Sequence, residues 1–347
     1  MFKRTFAILS IIFSTQFFIL ISPCVKNYIN IYKNDELVTY MTFIKMQQYI
    51  FSFILLQYFL TFLPGNIYNG PKPIDKRQIT PTYKENGVKA FILNSLIIYS
   101  FCKYEVINYM FIYDNIDILW LSLNVYALLL CLILLNLSKS RGFNDYNSNI
   151  ERFYLGQELY PLINNFNIKF FTNCRFGMML WPTLLIIYIN CHYKLNNKIN
   201  MSMLSNFIIQ MIYIFKFYLW EKGYMNSLDI IHDKAGYYIC WGCIVWVPSF
   251  YTLSGYYLVN NVGTTDNISL LLLIIGVIST ILNYWSDNQK IIFRESKGKC
   301  KIFFNNPTFI VAKYTHDKNS SNLLLTSGFW GISRHFNYFT ELIAAYS

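Results

Sequence analysis

Charge is what this sequence has least of. Only 14% of its 347 residues are Asp, Glu, Lys or Arg, where a soluble domain carries roughly a quarter. Intrinsic disorder needs many charges and few aromatics, and 19% aromatic content excludes it. Eight cysteines are ordinary usage for this length, so a small disulfide scaffold is excluded as well. The chain has no internal repeat, no Pro/Ser-rich linker and no stretch that reads as a soluble domain. It also lacks a Ser/His/Asp set, a phosphate-cradling glycine loop and a dinucleotide fingerprint. A Rossmann domain is therefore absent, and any nucleotide cofactor must be held another way.

What is present is apolar: 54% hydrophobic residues and a mean hydropathy of +0.32. These imply an all-α, polytopic integral membrane helix bundle, a single membrane-embedded domain over 1–347. A span needs about 20 mostly apolar residues to cross roughly 30 Å of hydrocarbon. Eight to nine candidate runs are visible: Phe6–Ile21, Tyr49–Leu63, Val88–Phe101, Ile116–Leu137, Gly177–Cys191, Met203–Trp220, Gly236–Val259, Ser269–Trp285 and Leu323–Tyr346. The first, behind Lys3 and Arg4, reads as a retained first helix, since no clear small-x-small cleavage site follows. The net charge of +11 would point to nucleic acid in a soluble chain. Here the basic residues lie mainly in connections between apolar runs, where they set topology and meet anionic lipid headgroups. The connections Ser138–Arg175 and Ser286–Asn322, the latter with Lys313 and Lys318, are expected on the cytoplasmic side.

Four segments carry chemistry. Lys290 and Arg294 are four apart, on a helix expected to continue out of the preceding apolar run, and share one face. Such a pair suits a phosphate, Arg offering a fork and Lys a point charge; a snorkelling basic collar with Asp287 as ion partner is the plainer reading. After Leu325 and a glycine pair, Trp330, Arg334, Asn337, Tyr338 and Glu341 fall at three- and four-residue intervals, one stripe on the expected helix. A polar stripe in a membrane faces a cavity or a partner, each mid-membrane charge costing about 2.5–3.5 kcal/mol. In the segment from His232 to Val259, His232 and Asp233 lack a second ligand pair for zinc. Cys240 and Cys243 read as packing residues, and Pro248 predicts a kinked helix lining a flat apolar pocket. Glu158 stands beside apolar residues, with Arg175 as its expected partner.

In this order, the segments resemble the sterol reductase family, which includes 7-dehydrocholesterol reductase, delta-14 sterol reductase and the membrane part of the lamin B receptor. The likeness runs roughly over residues 60–345. It starts at Leu63-Pro64-Gly65 and Tyr83-x-x-Asn86-Gly87, and is most specific at WGCIVWVPSFYTLSGYYLV, NQKIIFR and LLLTSGFWGISRHFNY. Phe336, where delta-14 reductases usually have Pro, places it nearest the delta-7 branch. The resemblance implies an endoplasmic-reticulum, multi-pass enzyme that reduces a sterol ring double bond with NADPH. A catalytically inactive sterol-binding or scaffold protein of the same fold is the alternative. It further implies a cofactor pocket of Lys290, Arg294, Leu325, Trp330, Arg334, Asn337 and Tyr338, and Tyr213 as proton donor with Glu158 and Glu341 as further acids. The chain departs from the family pattern at Cys243, in place of Asp, at Ile291, and at Thr340-Glu341, in place of Gly-Asp. The family pattern also runs on past this point, through further membrane helices and a terminal segment that completes the cofactor site. The resemblance therefore implies an incomplete product, or a chain without a large part of that pocket.

Overall fold

The computed structural model describes residues 2–21, 36–70, 80–313 and 321–347. Lys318 and part of the connection after Leu63 lie outside them. The long helices are α1 (Phe2–Ile21), α2 (Glu36–Leu60), α3 (Gly87–Lys103), α4 (Ile116–Ser140), α5 (Ile168–Asn196), α6 (Met201–Leu219), α7 (Asp266–Glu295) and α8 (Phe336–Tyr346). Short helices and two-stranded hairpins accompany them among the described residues. Among the described residues, α4, α5, α6 and α7 are each long and apolar enough to cross a membrane. The architecture is the all-α membrane bundle that the composition implies.

The residues gather into two compact units, Met1–Ile199 with Tyr224–Asn261, and Asn200–Gly223 with Val262–Ser347. In the first, α5 is buried almost all round and forms the centre. It begins at Ile168, not Gly177 as the hydropathy predicts, because the Asn167 side chain accepts from the Phe170 N–H at 3.1 Å and caps it. Its first turns, Phe171–Gly177, are π-helical and meet a second π turn, Gly242–Trp246, in the segment expected to kink. That segment is indeed broken, into Tyr237–Trp241, Val247–Phe250 and Leu253–Leu258. A Cβ on Gly177 would lie 2.2 Å from the Cys243 carbonyl oxygen, so only glycine lets the two π turns touch. A buried amide relay ties three helices: Gln57 on α2 donates to Asn94 on α3 at 2.8 Å, which donates to Thr183 on α5 at 3.1 Å. Such cross-helix bonds hold bundles where lipid gives no hydrophobic drive between helices.

In the second unit, α7 shows membrane polarity inside out from that of a soluble helix. Ile274, Ile278 and Ile281 face outward, while Ser269, Gly276, Thr280, Asn283 and Asp287 are inward. Small residues permit close approach: Ser205 on α6 donates to the Ser269 carbonyl at 3.0 Å. As the sequence leads one to expect, α7 runs on through Arg294. The run Leu323–Tyr346, however, is no single span. Ser321–Leu325 pairs antiparallel with Phe309–Lys313, a short helix Phe329–Ile332 follows, and α8 starts only at Phe336. The breaks come from Gly328, at φ +64°, and from Ser333, which is extended at φ −151° and ψ 145°.

Candidate functional site

A dense polar cluster in the second unit joins α6, α7 and α8. The Tyr213 hydroxyl on α6 donates to Glu341 Oε1 on α8. Asn283 on α7 donates to Glu341 Oε2 at 3.0 Å and to the Asn337 carbonyl at 2.8 Å. One turn beyond Tyr213, Lys216 donates to Asn283 Oδ1, with its ammonium 5.3 Å from the Tyr213 ring centre. Asn337 Nδ2 donates to Asp287 Oδ1 at 3.2 Å. Two carboxyl groups, an ammonium and a phenol are thus held together by two asparagines. The cost of charge inside a membrane is offset only by such mutual pairing.

Beside Asp287, toward the end of α7, stands a second group. The Lys290 ammonium lies 4.2 Å above the Trp330 ring centre, a cation–π distance. The Trp330 indole N–H donates to the Ser286 carbonyl at 2.9 Å, and the Phe329 N–H donates to Gln289 Oε1 at 3.1 Å, which locks the short helix onto α7. Arg294 is exposed one turn past Lys290. Leu325 is half-buried and pairs with Phe309 at the strand end.

Of the residues singled out from the sequence, Tyr213, Asn337 and Glu341 come together in the inner cluster, and Lys290 and Trp330 in the outer one. The single stripe expected over 330–341 does not form, because the chain breaks between Trp330 and Asn337. Arg334 is exposed at that break, and Tyr338 is exposed and stacked on His335 with ring centres 5.2 Å apart. Glu158 lies in the first unit. Its partner is Arg141, at 2.9 Å, rather than the expected Arg175. The Arg175 guanidinium instead donates to Asn86 Oδ1 at 2.6 Å and lies over the Tyr83 ring.

Lys216 and Asn283 were not among the residues that sequence reasoning picked. Their signal is visible all the same: each is a strongly polar residue inside an otherwise apolar run, and Lys216 follows Tyr213 at helical spacing. Outside the spans, the Asp229 carboxyl is pushed above its usual range by desolvation and then by Asp233 nearby. It belongs to the first unit, with the Tyr224 hydroxyl 3.5 Å away.

The model of the Ergosterol biosynthesis ERG4/ERG24 family matches residues 2–347, further toward the N-terminus than the motifs alone reach. The chain is 40% identical over 293 residues to the 7-dehydrocholesterol reductase of Arabidopsis thaliana, covering 82% of this chain and 67% of that protein. It is 29% identical over 321 residues to the 7-dehydrocholesterol reductase of Xenopus laevis, covering 88% of this chain and 67% of that one. To the Delta(14)-sterol reductase of Methylotuvimicrobium alcaliphilum it is 28% identical over 290 residues, covering 82% of this chain and 65% of the other. The matched stretch thus spans about two thirds of the length of each of these three relatives. With a helical membrane fold and a family match along its whole length, this chain belongs to the Ergosterol biosynthesis ERG4/ERG24 family of sterol reductases.

Proposed function

We propose that the chain is an NADPH-dependent reductase of a sterol ring double bond, acting in the endoplasmic-reticulum membrane, with the delta-7 bond favoured and delta-14 the alternative. The observation that carries this is the Tyr213–Glu341 contact inside the α6–α7–α8 cluster. An isolated alkene accepts hydride poorly until one of its carbons takes a proton, so the acid must sit close, in a site shielded from water. Tyr213 holds that proton at its hydroxyl. Asn283 fixes the Glu341 carboxyl through Oε2, and Lys216 holds Asn283 in turn.

The residues at the end of α7 suit a dinucleotide in part. Lys290 and the exposed Arg294 give two cations one turn apart for a phosphate, and Trp330, fixed by its bond to Ser286, gives a flat wall. When bound there, NADPH would supply the hydride. The amide of Asn337 serves the inner cluster, through Asp287, rather than that face.

The test is a membrane fraction expressing the chain, supplied with NADPH and either a delta-5,7 or a delta-14 sterol. Loss of the conjugated-diene absorbance of the delta-5,7 sterol is the expected result. Sterol bound but neither substrate turned over would instead establish the non-catalytic reading.

A further inference from the structure

A cavity of about 450 Å³ lies among α2, α3, α4 and α5 in the first unit, and shares no residue with the Tyr213–Glu341 cluster. Its wall is largely apolar, with the buried Phe53, Ile98, Leu123, Leu180 and Leu184 along it. Protein interiors are close-packed, and a space of this size left empty forfeits the contacts of every side chain around it. Walls this apolar do not hold water. In a lipid-embedded bundle, hydrocarbon is what fills it.

Three features narrow the occupant. The first is polarity. Among the described residues, only Tyr49, Ser52 and Thr183 bring side-chain polar atoms to the wall, and no Lys, Arg, Asp or Glu lines it. Thr183 is taken: it donates to the Met179 carbonyl at 2.8 Å and accepts from Asn94. The Tyr49 hydroxyl accepts from the Asn108 N–H at 3.3 Å, which leaves its own hydrogen to donate. The second feature is position. Asn108 follows the end of α3 at Lys103, and Lys45, one turn before Tyr49, lies over the Phe111 ring, so the phenol stands at a charged rim. The third is depth. Cys191 contacts the Tyr109 carbonyl, which sets the C-terminal end of α5 at that same rim. From Ile187 to Phe176 the cavity follows α5 for about 16 Å. That matches the hydrocarbon depth of one leaflet, roughly 15 Å.

A neutral hydroxyl donor at the rim of a leaflet-deep apolar slot fits an amphiphile with one hydroxyl and a rigid hydrocarbon body. We propose that this cavity is a sterol-binding site separate from the reductive one, with the sterol hydroxyl at Tyr49 and the ring system between α2, α3, α4 and α5. It is a binding site only, since Tyr49, the phenol in its wall, meets the sterol hydroxyl rather than a ring bond. Its readout is binding, so it stands or falls independently of turnover in the second unit.

The test uses the full chain in membranes, a photoactivatable sterol, and mass-spectrometric mapping of the labelled peptides. Label is expected on the α2 peptide around Tyr49–Leu56 and the α5 peptide around Phe176–Ile187, displaced by excess unlabelled cholesterol. Leu184→Trp, which fills the slot, should bring label at these peptides to background. Tyr49→Phe, which keeps the packing, should weaken sterol labelling several-fold and leave that of a photoactivatable fatty acid unchanged. Should Leu184→Trp fail to fold, Tyr49→Phe decides alone. No label on these peptides, label unchanged in Tyr49→Phe, or a fatty-acid probe at the same peptides that cholesterol does not displace would each overturn the proposal.

Discussion

Both oxygens of Glu341 are occupied, one by the Tyr213 hydroxyl and the other by the Asn283 amide, and this fixes what each neighbour contributes. If Tyr213 is the proton donor, Tyr213→Phe removes the proton but leaves the ring beneath Lys216. The expected outcome is a fall in kcat of about 10²–10⁴-fold, with little change in the KM of either substrate. Arg294→Ala should act differently, raising the KM for NADPH by about 10–100-fold, the worth of one charge-assisted hydrogen bond, with kcat nearly kept. Steady-state kinetics in membranes separate the two. At this scale the sequence was half legible. Tyr213 and Glu341 are 128 residues apart, and no local pattern pairs them; the family likeness named both. Lys216 and Asn283 went unpicked because their meaning depends on how α6 meets α7, which periodicity along one helix does not carry.

Helices were easier to read than the joints between them. Most of the long apolar runs became helices, and α7 continued through Arg294 because its inward face stays small and polar while its outward face stays apolar. The failure at Leu323–Tyr346 has a local cause. Gly328, at φ +64° and ψ −139°, adopts a backbone region that other residues enter only with strain. A Cβ there would also meet Gln289 Oε1 at 2.5 Å and Ile302 Cγ2 at 2.6 Å. Hydropathy cannot see that turn, so a strand, a short helix and α8 merged into one expected span. Gly328→Ala should cost about 1–3 kcal/mol. It should appear as a lowered thermal midpoint of the detergent-solubilised protein. Because Phe329 and Trp330 follow directly, the KM for NADPH should rise as well.

For the molecule as a whole, low charge and high hydropathy were enough to identify a lipid-embedded bundle, and the order of motifs was enough to identify the family. Neither discloses which groups meet, since that is settled by helix register and by polar residues that find one another inside the membrane. The proposed sterol reduction rests on a cluster to deliver a proton and on two cations to seat a phosphate. Transfer of isotope tests both together. Membranes expressing the chain would be supplied with NADPH deuterated at the transferable position and a delta-5,7 sterol, and the product analysed by mass spectrometry. One deuterium fixed on a former alkene carbon of the sterol ring, lost in Tyr213→Phe, is the expected result. A product without deuterium, or equal incorporation in Tyr213→Phe, would contradict the account.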